Sequence, residues 1–509
     1  MATRRRPLVR LLLSVLAVVG VLCCGGVAAG AWAFTRSGTD TVGEVDFVRP
    51  LAVPPLAPSR IDGQGRRVFD LLARDGRRDF RGDGRMTRTA GFDGDYLGPT
   101  LRAKRGEQVA VNVVNRLGEE TSVHWHGMHL PARMDGGPHQ MVRPGATWSP
   151  TWTVNQPAAT LWYHPHVHGK TEEHVYRGLA GMFILDDDRE AALPLPRDYG
   201  VDDVPVIVQD RAFSRSGQFT KTRNSISSIG VLGDTLLVNG TVGPYLDVRT
   251  ERVRLRLLNA STARIYEFGL SDGRPFDMIA SDGGLLPRTA RLNQVRLSPG
   301  ERAEIVVTVR PGERVTLRST GPDLEAGALA DRFAGGRDRF DVLQLRAAGA
   351  LAPAPEVPAE LVPSDRLAPA TAAVTRRLEF QGRGVNGRSM RMDRIDFAAT
   401  RDTTEVWEVE NTDGTPHNFH VHDVQFQVLS VDGAAPPPEL GGWKDTVYLA
   451  PDRPVRIALR FTDHSDPNVP YMYHCHLLWH EDNGMMGQFV VVEPGQAPGR
   501  PPTGHAGHD

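Results

Sequence analysis

Cysteine is nearly absent from this chain. Three occur in 509 residues, and Cys23 and Cys24 both fall in an apolar N-terminal stretch, so no disulfide framework holds the body together. Cys475 is left without a partner. A lone cysteine commonly packs as a small inert hydrophobe, and only its neighbours argue otherwise here. An excess of either charge is also absent: 59 basic residues face 61 acidic ones, for a net charge of -2. That balance gives no electrostatic footprint for nucleic acid, and no nucleic-acid partner is expected. Histidine, finally, is missing from about residue 200 to 346, although 17 occur in the whole chain.

Turn chemistry is plentiful. The 53 glycines and 38 prolines punctuate valine-rich alternating runs such as Val109-Ala110-Val111-Asn112-Val113, the pattern of an all-β chain. The length suits roughly three domains, each able to bury its own core. Residues 1–35 open on Arg4-Arg5-Arg6 and continue into the apolar run from Leu11 to Phe34, about as long as a bilayer is thick. This segment is expected to direct export, either as a signal peptide cleaved near Ala29-Gly30-Ala31 or as an uncleaved membrane anchor, with the body on the outer side. Arg5-Arg6-Pro7-Leu8-Val9 also resembles a twin-arginine signal.

Composition divides the rest. Residues 36–59 are expected to be a linker, 60–195 a β-sandwich with two histidine clusters, and 200–346 a second sandwich without ligands and with a structural role. Residues 347–375 are Ala/Pro-rich and predict an extended connection. Residues 376–494 form a third sandwich with two more histidine clusters, and 495–509 a disordered tail whose His505 and His508 are given no role. Metal chemistry split between the first and third domains places the site between them.

Random placement of 17 histidines would give roughly half of one His-x-His pair, whereas the chain has five, at 124/126, 164/166, 166/168, 420/422 and 474/476. Residues i and i+2 of a strand project from one face, so each pair aims two imidazoles at one point. Imidazole suits copper, zinc, iron and nickel alike, and the pairs leave the metal open. His474-Cys475-His476 narrows it. Its histidines face one way and its cysteine the other, so one strand can touch two metal sites. On the cysteine side, His417, His480 and Met485 complete two imidazoles, one thiolate and a weak axial thioether, a blue-copper set suited to electron transfer.

His-Trp-His-Gly at 124–127, Trp-Tyr-His-Pro-His at 162–166, His-Asn-Phe-His-Val-His at 417–422 and His-Cys-His-Leu-Leu-Trp-His at 474–480 together resemble the four signature motifs of the multicopper oxidases, in family order. The resemblance covers about residues 56–493 and is nearest to bacterial three-domain laccases and copper-efflux oxidases. It implies three cupredoxin-like Greek-key sandwiches and four copper ions. His417, Cys475, His480 and Met485 would hold type 1 copper, and His124 and His420 type 2. The type 3 pair would take His126, His164 and His476 on one ion and His166, His422 and His474 on the other. Cys475, His474 and His476 would carry electrons between the sites. Asp135 and Glu481 match the family's acidic relay positions and are the expected proton carriers to dioxygen. His168 resembles a non-ligating histidine just behind the ligands. His129, His139, His174 and His464 are left as ordinary polar residues.

Two departures bear on the reductant. Gly137-Pro138-His139-Gln140 stands where fungal and plant laccases carry a cysteine, and no methionine run follows Met390 and Met392. Asp413 occupies a substrate-copper position of the efflux oxidases, but Thr415 replaces a methionine there. The expected partners are therefore dioxygen and a phenol or aromatic amine, with Cu(I) or Mn(II) secondary. A chain carrying both ligand-bearing domains is expected to act as a monomer. Two rivals remain: a copper nitrite reductase, which needs far fewer histidines, and a metal-free cupredoxin with a binding or structural role, which would have lost ligands.

Overall fold

The computed structural model describes residues 38–221, 229–363 and 366–502. The export segment at 1–35 and the histidines of the tail lie outside the described residues. Among those described, no helix is long and apolar enough to cross a membrane.

Alternation sets the strands. In Gln108–Asn115, Val109, Val111 and Val113 are buried while Asn112 and Val114 are half-buried between them, so one face packs and the other meets solvent. Strands of this kind build six sheets that pair into three sandwiches. One parallel pairing recurs in each: residues 67–73 run beside 109–115, 203–208 beside 254–259, and 374–380 beside 405–411. A second recurs in the facing sheets, joining 183–186 to 101–104, 245–248 to 344–347, and 397–400 to 489–492. The chain is thus one cupredoxin-like β-sandwich built three times.

Each sandwich closes on its own apolar core, around Phe69, Trp125 and Phe183 in the first, Leu255, Phe268 and Ile305 in the second, and Trp407, Phe419 and Phe489 in the third. The interfaces are packed as firmly. Trp162 and Tyr96 of the first meet Ile207 and Leu258 of the second, and Ala263, Ile265 and Leu324 of the second join the core of the third. Asp482 reaches from the third sandwich to accept the Thr171 and Glu172 amides, both at 2.9 Å, at the start of the helix Thr171–Arg177 in the first. Those free helical N–H groups thereby acquire an acidic cap.

Two expected linkers are partly sheet. Arg49–Pro50 pairs in parallel with Pro244 and Tyr245, so residues 36–59 add an edge strand to the second sandwich. The strand Phe340–Ala352 overruns the boundary expected at 346, and Ala352 pairs with Thr250. Alanines at a half-exposed edge bury little, so their composition carries no strand signal.

Candidate metal centre

The strand His124–His126 lies antiparallel to Ala159–His164, with His124 opposite His164 and Trp162 opposite His126. In the third sandwich His417–Val421 lies antiparallel to Asp466–His474, with His420 opposite His474. The two pairs of strands face each other across the domain interface. They bring eight imidazoles into three groups whose donor atoms lie within 4.8 Å of one another: His124, His126 and His420; His126, His164 and His476; His166, His422 and His474. A fourth group joins His417, Cys475 and His480. All are buried.

The nitrogens sort into outward and inward sets. Outward, His124 Nδ1 donates to the Asp135 carbonyl at 2.9 Å, His422 Nδ1 to Asp135 Oδ2 at 2.7 Å, His420 Nδ1 to the Asp445 carbonyl at 2.8 Å and His164 Nδ1 to the Pro165 carbonyl at 2.8 Å. His126 Nε2 lies 3.0 Å from Asp445 Oδ1, and His474 Nδ1 donates to the Cys475 carbonyl at 3.2 Å with Glu481 Oε2 standing 3.1 Å away. These acceptors fix the tautomers and leave the lone pairs inward. There they meet each other: His166 Nε2 is 3.2 Å and His422 Nε2 3.3 Å from His474 Nε2, and His164 Nε2 is 3.4 Å from both His126 Nδ1 and His476 Nε2. His124 Nε2 and His420 Nε2 are buried with no hydrogen-bond partner. Converging lone pairs with no proton to share are stable around cations and costly without them, so the residues fit metal ions. Burial, reinforced by neighbouring imidazoles, holds His126, His164, His420 and His422 well below the usual range, and His166 and His476 down to about 3. Each is therefore neutral, the ligand form.

At the fourth group His417 Nδ1 and His480 Nδ1 stand 3.0 Å apart, with Cys475 Sγ 3.7 Å and 3.5 Å from them. Burial pushes the Cys475 thiol up to about 12, so a cation is needed to hold it as thiolate. Met485 is buried beside it, its N–H donating to the His480 carbonyl at 3.0 Å and its carbonyl accepting from Cys475 N–H at 3.1 Å. Partial burial would raise Asp413, but hydrogen bonds from His417 and from the Gly382 and Thr415 amides hold it down to about 2.

The structure also shows residues that the sequence reading passed over. Arg302 of the histidine-free second sandwich forks onto Asp445 at 2.7 and 2.6 Å, and Asp445 in turn orients His126 and His420. Asn418 accepts from the His476 amide at 2.6 Å and donates to the Pro299 carbonyl at 2.8 Å, tying the His-Cys-His segment to a second-sandwich loop. Gly300 in that loop has φ +88°, and a Cβ there would stand 3.1 Å from His126 and 3.2 Å from His476. The second sandwich, expected to be structural only, thus buttresses the histidine cluster. One expectation is corrected: His168 is exposed in the turn before the helix at Thr171 rather than packed behind the ligands. The alternation carries past the strand end at His164 to His166, but the chain turns at residues 168–170 and takes His168 to the surface. His139 and His174 are buried, beside Gln488 Oε1 at 2.9 Å and Thr121 Oγ1 at 3.3 Å respectively.

Two family models, each described as multicopper oxidase, match residues 77–190 and 361–495. The chain is 36% identical over 450 residues to the multicopper oxidase mco of Staphylococcus haemolyticus, covering 86% of this chain and 92% of that one. It is 38% identical over 450 residues to the cell division protein FtsP of Escherichia coli, covering 87% and 93%. Among solved structures it superposes on a laccase from Pediococcus acidilactici with a TM-score of 0.78 at 34% identity, covering 87% and 94%. The McoA multicopper oxidase from Aquifex aeolicus gives 0.78 at 32% identity, covering 87% and 99%. With donor groups suited to metal and relatives matched along most of their length, this chain belongs to the copper-binding multicopper oxidase family.

Proposed function

We propose that this chain is an exported, monomeric oxidase that takes electrons singly from a small reductant and passes four of them to dioxygen. Copper ions bound here would supply one site for accepting electrons from the reductant and one for reducing oxygen. His417, Cys475, His480 and Met485 would hold the first as type 1, His124 and His420 the type 2 ion, and His126, His164, His476 with His166, His422, His474 the type 3 pair. Cys475 lies between His474 and His476 in the chain, so this short peptide joins the two donor groups and serves as the electron path. Asp135 accepts from the outward nitrogen of His422 and Glu481 stands 3.1 Å from that of His474, so both carboxylates lie where they would relay protons toward the cluster. The Arg-flanked apolar N-terminus supports export.

The observation that carries this reading is the convergence of inward lone pairs from eight histidines beside a complete Cys-His-His group. The similarity to proteins named for cell division supports a second reading, a binding role without turnover. Oxygen uptake by copper-loaded protein separates the two, with a phenol, an aromatic amine, Cu(I) and Mn(II) offered in turn. Uptake with at least one of them, without peroxide, is expected. No uptake with any, at full copper content, would favour the binding role.

A further inference from the structure

A cavity of about 620 Å³ lies where the three sandwiches meet, and none of the metal-donor residues lines it. That size falls among small-molecule sites, which span about 300–1,000 Å³. Its lining is mixed: Val154 of the first sandwich, Leu285 of the second and Val424 of the third are buried against it with Trp443 half-buried beside them, and polar side chains such as Asn155, Gln156 and Gln425 share the wall. Exposed guanidinium groups of Arg105, Arg189 and Arg460 also line it, which places them toward the surface.

Positive groups outnumber negative ones on this lining, with three arginines against Asp187 and Asp463. None of the three arginines forms an ion pair among the described residues. The two acids on the lining are engaged by the protein itself. Asp187 accepts the Glu190 and Ala158 amides at 2.7 and 3.0 Å, and Asp463 accepts the Thr462 hydroxyl at 2.7 Å. The wall is also fixed before anything binds. Gln156 and Gln425, from different sandwiches, both donate to the Gly127 carbonyl, at 2.8 and 2.9 Å, and Gln156 accepts from the His129 amide at 2.7 Å. Such side chains have little freedom left to lose on binding.

We propose that this cavity binds an aromatic carboxylate, its flat apolar body against Val154, Leu285, Val424 and Trp443 and its carboxylate held by Arg105, Arg189 and Arg460. Guanidinium is the group whose planar fork matches a carboxylate's two oxygens. The site is separate from the place where a reductant meets His480, so it binds without being consumed.

The test is calorimetric titration of the copper-loaded full chain with 2-naphthoate and, as neutral control, 2-naphthamide. Saturable binding of one naphthoate per chain is expected, weakened about tenfold or more in the amide, which lacks the charge-assisted hydrogen bonds. The double variant R105Q/R460Q should lose naphthoate affinity to a similar degree while keeping its copper content and thermal midpoint, both side chains being exposed. No saturable binding, equal affinity for the amide, or unchanged affinity in the double variant would each overturn the proposal.

Discussion

Replacing Asp445 by Asn tests how the second sandwich serves the metal centre. The carboxylate now takes Arg302 on both oxygens and His126 on Oδ1, while its backbone carbonyl holds His420. An amide has one acceptor oxygen and cannot serve both guanidinium and imidazole, so either Arg302 is left short of an anion or His126 loses its orienting acceptor. Breaking a buried ion pair by removing one partner costs about 3–5 kcal/mol. Arg302 keeps hydrogen bonds to the Thr160, Gly300 and Asp282 carbonyls, which places the loss near the lower end of that range. Loss of an orienting partner also weakens metal binding by about 10–100-fold. The predicted variant therefore unfolds at lower denaturant and surrenders copper from the histidine cluster on dialysis, while the Cys475 site stays blue. Double D445N/R302M protein should be less destabilised than the two single losses summed, because each charge is removed together with the partner it would otherwise leave unpaired. Denaturant titration with copper counting reads all of this. Wild-type stability and copper affinity in D445N would refute the buttressing role.

Cys475→Ser should abolish the blue absorption and nearly all oxidase activity, read by visible spectroscopy and oxygen uptake, because an alcohol replaces the thiolate neither as ligand nor as conduit. Asp135→Asn should leave anaerobic bleaching of the blue band normal but slow its recovery with oxygen about 100–10,000-fold, the range for lost proton transfer, as followed by stopped flow. Metal-free protein should lose stability on acidification: His166 and His476 are held down to about 3 when folded, against about 6.5 when unfolded. The unfolded state thus binds more protons between those values, so denaturation midpoints are highest above about pH 6.5 and fall toward pH 3. A flat pH profile in the metal-free protein would contradict this.

The metal donors were legible because a strand places alternate residues on one face, so His124 and His126 announce themselves within three residues, as do His420 and, one residue past its strand, His422. His168 shows where that logic stops. It continues the alternation in sequence after the strand has ended, and the Val167–Lys170 turn carries it to the surface. Arg302 and Asp445 were illegible for another reason: they are 143 residues apart, in different sandwiches, and neither neighbourhood has a repeating pattern. The same holds for Arg49–Pro50, whose pairing partner is set by the fold of a later domain. Three sandwiches could be counted from turn spacing and the histidine-free middle, but the parallel pairings that show them to be one unit repeated appear only in register.

The proposed function requires that one chain hold four coppers acting as a single electron store. Anaerobic reductive titration of the fully oxidised, copper-loaded protein measures that store directly. Four electron equivalents per chain are expected on the roughly four coppers of a type 1 ion plus a trinuclear cluster, with the blue band bleaching during the titration and all equivalents returned to dioxygen as water. Uptake of only one or two equivalents at full copper loading, or their return as peroxide, would contradict it.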